Sequence, residues 1–142
     1  MATDLQEWVH ELCRDYMRGR LDSVLSRVDD DIDFVIYAPP DIVPPQPRRR
    51  GQAALAAILL KVQSQFEYLS YQPFIVGGEP DTAAVVILAR LKHRATGTII
   101  PLFIANFVRF RDGRMVEMRE FVNRAECVEQ LFARKDGVAK QP

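Results

Sequence analysis

Four side chains in this 142-residue sequence have the type and setting for proton-transfer chemistry: Glu120 or His93 to move the proton, and Asn106 and Tyr16 to orient or polarise a ligand. Asn106 interrupts an otherwise apolar run, Ile99-Ile100-Pro101-Leu102-Phe103-Ile104-Ala105-Asn106-Phe107-Val108. A buried amide without a partner costs about 1–3 kcal/mol, so Asn106 must either donate to a ligand carbonyl or serve a bulge or a neighbouring side chain. Glu120 stands between Met118 and Val122. In apolar surroundings such a carboxyl gains a raised pKa and can act as acid or base; paired with an arginine or facing water, it is a surface charge. His93 shares a strand face with Val85, Ile87, Ala89 and Leu91 and is a candidate base. Its place at a strand end beside Arg94 also fits an exposed structural role. The other histidine, His10, lies on the first helix, and no cluster of the kind that holds a metal is visible. Tyr16 ends a helical stripe, where packing alone would explain it, although its hydroxyl could reach a pocket.

These groups need elements to position them. Thr3-x-x-Gln6 is a capping box that opens a helix at about residue 4. Leu5, Trp8, Val9, Leu12, Cys13, Tyr16 and Met17 give it an apolar stripe, and Gly19 ends it. A short second helix spans Leu21 to Val28 and breaks at Asp29-Asp30-Asp31, whose charges oppose the helix dipole. Asp33 to Ala38 is a strand. Five prolines between Pro39 and Pro47 make a stiff loop, either a lid or a connector, which Arg48-Arg49-Arg50-Gly51 extends. That basic run is either a phosphate or acidic-partner site or a solvated loop. Gln52 to Phe66 is a third helix, buried through Leu55, Ile58, Leu59, Val62 and Phe66. Strands follow over Tyr68 to Val76, with Pro73 marking an edge or bulge, and over Thr82 to His93. Two more, in Ile99 to Val122, are joined at Arg111-Asp112-Gly113-Arg114. A last helix is expected over Arg124 to Arg134, then a frayed tail. Helices first and a strand meander after them argue α+β, with helices packed on one face of an antiparallel sheet.

The formal net charge is zero, with 19 basic and 19 acidic residues, which gives no support to nucleic-acid binding. No run reaches the roughly 20 apolar residues that cross a bilayer, and Met1-Ala2-Thr3-Asp4 opens no secretory signal. Cys13 and Cys127 are read as two free thiols in a reducing cytoplasm. Along the strand from Ile99, the set with Ile100, Leu102, Ile104 and Asn106 and the set with Phe103, Ala105 and Phe107 are both apolar. One sheet face therefore needs cover beyond the helices, which predicts a homodimer through the sheet, with the final helix as the other possible cover.

Several phrases in order resemble the SnoaL-like and ketosteroid-isomerase-like proteins of the nuclear-transport-factor-2-like superfamily. They are Gly19-Arg20-Leu21-Asp22-Ser23-Val24-Leu25, Asp30-Asp31 before a strand, and Arg50-Gly51-Gln52-Ala53-Ala54-Leu55. Thr96-Gly97, Phe107 to Met115 and Met118-Arg119-Glu120-Phe121-Val122-Asn123 complete the set. The match covers about residues 4 to 124 of a single domain, 1–142. It implies an α+β roll of the cystatin-like kind, a cone whose mouth admits a small, largely apolar molecule. Glu120 would then face inward. Trp8, Leu12, Ile36 and Leu59 would line the cone from the helices and first strand, and Leu102, Ile104, Met118 and Val122 from the last two strands.

The resemblance also places Asn106 where the isomerases carry a protonated aspartic acid. Ile36 stands where they carry the base aspartate, and Leu12 where they carry a tyrosine. Tyr16 lies one helical turn from Leu12. Asn123 stands where related cyclases often place an aspartate, and an amide cannot replace a general acid or base. Steroid-isomerase chemistry itself is therefore not expected. The sequence supports a cytoplasmic, dimeric small-molecule-binding protein. It is either a cofactor-independent isomerase, cyclase, dehydratase or hydrolase working by proton transfer, or a non-catalytic binding or assembly module of the same fold.

Overall fold

The computed structural model describes residues 5–43 and 47–125. The capping box at Thr3, the last helix, Cys127 and the tail lie outside them. Helix α1 is Leu5–Met17, α2 Leu21–Leu25 and α3 Gln52–Gln65. The strands are β1 (Val28–Tyr37), β2 (Arg49–Arg50), β3 (Phe66–Glu79), β4 (Thr82–His93), β5 (Ile99–Arg111) and β6 (Arg114–Arg124). They form one sheet in the order β2-β1-β6-β5-β4-β3.

The sheet is mixed, not wholly antiparallel as expected. The β3-β4-β5-β6 meander is antiparallel, but β1 returns beside β6 in parallel, with Ile36 opposite Glu120. A parallel pair needs a long crossover, and α3 with β3 to β5 supplies it. The second helix also stops earlier than its sequence suggests, because Val28 to Asp31 already belong to β1. Val28 is fully buried, and its place in the core outweighs the helical spacing that links it to Val24. Pro73 sits on β3, an edge strand, as its missing N–H requires, and the irregularities fall on either side of it.

Backbone details aim the functional side chains. Helix α1 ends in a Schellman motif: Arg20 N donates to Asp15 O at 2.9 Å and Gly19 N to Tyr16 O at 3.1 Å, with Gly19 at φ +75°. Gln63 Nε2 also donates to Tyr16 O, at 3.4 Å, so the turn that carries Tyr16 is tied to α3. Trp8 Nε1 donates to Gly113 O at 3.2 Å, and its ring meets Phe110 edge-on at 4.7 Å. This pins α1 to the β5–β6 hairpin. That hairpin turns on Asp112 and Gly113, both at positive φ (53° and 76°), as a two-residue primed turn requires.

The same hairpin contains a bulge with a functional consequence. Phe110 lies opposite Met115, but Arg109 lies opposite Glu117, which leaves Val116 as the extra residue. Without it, Asn106 would face Arg119; with it, Asn106 pairs with Glu120. A one-residue slip exchanges the two faces of a strand, so this bulge is what turns Glu120 inward.

The core fills the concave side with Ile32, Phe34 and Ile36 of β1, Val85, Ile87 and Leu91 of β4, and Leu102 and Ile104 of β5, against Val9, Leu55 and Val62. On the other face Asp33 is buried and gathers the arginines. Arg48 Nε donates to both its carboxylate oxygens at 2.8 and 3.0 Å, and Arg119 Nη2 lies 3.3 Å from it. The guanidinium of Arg48 holds the Asp33 carboxyl below the usual range. Of the basic run, then, Arg48 is an internal partner, and Arg49-Arg50 pair with β1 as a short strand.

Candidate functional site

Between the sheet and the three helices lies a cavity of about 110 Å3. A single water needs about 10–15 Å3, so this space admits a small organic group. The walls are mostly aliphatic and include Trp8, Leu12, Ile36, Leu59, Leu102, Ile104, Met118 and Val122. The loop after β1 adds Ile42 and Val43, folded inward where their N–H groups reach Pro39 O at 2.9 and 3.1 Å.

Five polar side chains and one thiol share this apolar space: Glu120, Asn106, Tyr16, Tyr68, Tyr71 and Cys13. Asn106 Nδ2 donates to Glu120 Oε1 at 3.2 Å across the β5–β6 pair. Asn106 Oδ1 is buried and, among the described residues, accepts nothing. The hydroxyls of Tyr16 and Tyr68 are 2.7 Å apart, with their rings 4.9 Å apart, and Tyr71 stands edge-on to both at 5.3 Å.

The electrostatics follow from this setting. Burial pushes the Glu120 carboxyl up to about 7. Glu120 is half-buried and lines the cavity. Burial also pushes the Cys13 thiol up to about 12 and raises all three tyrosine hydroxyls, and the negative charge of Glu120 adds to each of these shifts. Within this group, Glu120 is the one residue poised to change charge near neutrality. A carboxyl at that value can take a proton and return it at physiological pH.

The stability of the chain should register this cost. The folded-state pKa of Glu120 is raised, so between about 4.5 and 7 the folded chain keeps a proton that the unfolded chain has released. The resulting stabilisation is complete below about 4.5 and is lost as pH rises through 7, a fall of about 3 kcal/mol. Glu120→Gln should abolish that slope. Urea denaturation of both proteins from pH 4 to 8.5 reads the difference, which cancels the titration of every other group.

His93 does not join this constellation. It has the inward parity expected of it but stands at the end of β4, beyond the cavity. Its Nδ1 lies 2.9 Å from Thr96 Oγ1 in the hairpin turn, and its ring packs 5.3 Å from Phe66. Conversely, Tyr68 and Tyr71 belong to the site and the sequence reading passed over them. A bulge at Leu69 puts residues three apart on one face of β3, so strict alternation separates them. The available signal was the Tyr-x-x-Tyr spacing itself. Among the described residues no group of three His, Cys, Asp or Glu could hold a metal ion, and no helix is long and apolar enough to cross a membrane.

A small α+β fold with a curved sheet wrapped around helices, holding a carboxyl and an amide against an apolar cavity, defines the class. The sequence pattern of the SnoaL-like domain matches residues 9–118, and the chain belongs to that family. Solved structures agree. The chain is similar to a protein from Rhodopseudomonas palustris provisionally named an isomerase (25% identity, TM-score 0.73, covering 92% of this chain and 97% of that one). It shares the fold of a nuclear-transport-factor-2-like protein from Burkholderia xenovorans LB400 (24%, TM-score 0.65, 82% and 87%). It also shares the fold of IdmH from Streptomyces antibioticus, provisionally named a polyketide cyclase (20%, TM-score 0.69, 91% and 99%). No curated protein sequence matches.

Proposed function

We propose that this chain is an enzyme that moves a proton on a small, largely apolar molecule held in the cavity, without a cofactor. Glu120 takes and returns the proton; Asn106 and the Tyr16–Tyr68 pair orient the polar end of the ligand. The observation that carries the reading is a carboxyl set in the wall of an apolar cavity with an amide donating to one of its oxygens, a setting whose burial pushes that carboxyl up to about 7. Isomerisation, cyclisation, dehydration and hydrolysis all draw on such a group. The relatives named isomerase and cyclase support that range. Aliphatic side chains at Ile36 and Leu12 speak against steroid-isomerase chemistry, because they stand where the resemblance puts its base and its tyrosine.

The test is proton exchange. Enolisable cyclic ketones that raise the melting temperature are incubated with the protein in D2O, and loss of the α-proton is followed by NMR. Exchange that is faster with the native chain than with Glu120→Gln is expected. Equal rates for every compound that binds would make the chain a binding module instead.

We further propose that two copies associate through the outer sheet face. Tyr37 and Phe121 stack there at 4.9 Å, Phe107 meets Phe121 at 6.1 Å, and Tyr37 and Phe107 remain 53% and 50% exposed. Exposed aromatic clusters of this kind mark association sites. Sedimentation should give twice the 16.2 kDa of one chain, and Phe107→Glu should give 16.2 kDa. A native chain that sediments as a monomer at micromolar concentration would overturn the assignment.

A further inference from the structure

Glu120 is a carboxyl without a counter-charge. Its Oε1 accepts from Asn106 Nδ2 at 3.2 Å, and its Oε2 has no hydrogen bond or ion pair among the described residues. Nor is Oε2 sealed off: among the described residues, the buried side-chain polar atom without a partner is Asn106 Oδ1. No lysine, arginine or histidine among the described residues lines the cavity with it. Asp33, on the opposite face of the sheet, shows the contrast. There Arg48 donates to the carboxylate at 2.8 Å and Arg119 lies 3.3 Å away. The fold supplies a cation to one acid and leaves the other facing an apolar space.

The same wall carries three aromatic rings. Tyr16, Tyr68 and Tyr71 lie 4.9 to 5.3 Å apart, tilted or edge-on to one another, and all three line the cavity. Aromatic rings attract cations, and a neutral tyrosine oxygen accepts from an N–H. A carboxylate with no internal cation beside clustered tyrosines is the chemistry that receives an ammonium group.

We infer that the cavity takes a protonated amine carried on a small apolar ring or chain, with the ammonium set against the Glu120 carboxylate and the tyrosine cluster. This rests on the proposed function for the cavity as a ligand site, and it names the charge of the ligand's polar end. An ammonium has three N–H donors and no acceptor; Glu120 Oε2 and the tyrosine oxygens are acceptors that the wall offers. Hydrogen bonding alone would not select it, because a hydroxyl also donates to a carboxylate. Charge selects it. An unpaired carboxylate in apolar surroundings is costly, and the folded chain already carries that cost. A cationic ligand relieves it, and a neutral one does not.

The selection operates while Glu120 is ionised. The ionisable groups that face it are Cys13 and Tyr16 from α1 and Tyr68 and Tyr71 from β3, all held neutral well above pH 8. β5 contributes Asn106, and β1 contributes Ile36 directly opposite. α2, α3, β4 and the loop after β1 give only apolar side chains to the lining among the described residues. Proton and ammonium therefore compete for one carboxyl. Amine affinity should rise as pH climbs toward about 7 and level off above it, and bound amine should lower the Glu120 pKa.

The test is a matched pair of probes, cyclohexylamine and cyclohexanol, titrated into the full chain by calorimetry or NMR at pH 5.5 and pH 8.5. An alkylamine stays protonated at both, with a pKa near the lysine value of about 10.4. The amine-to-alcohol affinity ratio is expected to rise at least tenfold from the lower to the higher pH. Glu120→Gln, neutral throughout, should hold the ratio constant. A ratio that does not move with pH in the native chain, or that moves equally in Glu120→Gln, would overturn the inference; bound cyclohexanol would then leave the cavity a site for neutral ligands. Binding of neither probe at millimolar concentration would overturn the ligand-site reading as well.

Discussion

Glu120→Gln should lower turnover by about 10²–10⁴-fold, the range that a positioned acid or base supplies. Glutamine keeps the shape and can still accept from Asn106 Nδ2, so the loss reports the missing proton-transfer function and not a collapsed wall. The native pH profile should carry the same signature. If Glu120 acts as the base in the free enzyme, kcat/KM climbs tenfold per pH unit below about 7 and levels off above it. A loss below tenfold, or a profile without an inflection near neutrality, would exclude Glu120 as the proton carrier. The Glu120→Gln protein should meanwhile be more stable than the native chain at pH 8, because it buries an amide where the native chain buries a charge. Lower activity with higher stability is the pattern expected of a residue kept for chemistry.

The second large effect belongs to the scaffold. Phe34→Ala should destabilise the fold by about 3–5 kcal/mol, the usual cost of emptying a fully buried aromatic site. Phe34 is 1% exposed, the largest fully buried side chain among the described residues, and sits opposite Met118 in the parallel β1–β6 pair. It is two residues from Ile36, which faces Glu120. Total stabilities of single domains are about 5–15 kcal/mol, so this one truncation removes a large part of the margin. Urea denaturation at fixed pH measures it. A loss below about 1.5 kcal/mol would mean that the β1–β6 junction is not the packed centre described above.

Both predictions rest on side chains whose place was partly legible in the sequence. The alternation along Ile99 to Phe110 groups Asn106 with Ile100, Leu102 and Ile104 but leaves open which face is buried; in the structure Leu102, Ile104 and Asn106 line the cavity. The inward turn of Glu120 could not be read from alternation alone. It depends on Val116, one extra residue that breaks the hairpin register and puts Glu120, not Arg119, opposite Asn106. The spacing of Met115 and Met118, three instead of two, is the trace that this bulge leaves in the sequence. Leu69 does the same on β3, and there the reading failed: Tyr68 and Tyr71 went unassigned because period-two counting sends them to opposite faces. His93 failed for a different reason. Parity gave its face correctly, but parity says nothing about depth along the strand, and His93 lies past the end of the cavity. The parallel β1–β6 pair was also invisible locally, because it joins segments more than eighty residues apart and depends on where α3 returns the chain.

The proposed chemistry depends on the state of one carboxyl, and that state can be observed without a substrate. A carbon-13 NMR titration of the Glu120 side-chain carboxyl in the native chain, assigned by its loss in Glu120→Gln, should show an inflection at about pH 7. An inflection at the ordinary value near 4.5 would mean that the carboxyl is solvated, and it would contradict both the buried acid–amide pair and the chemistry built on it.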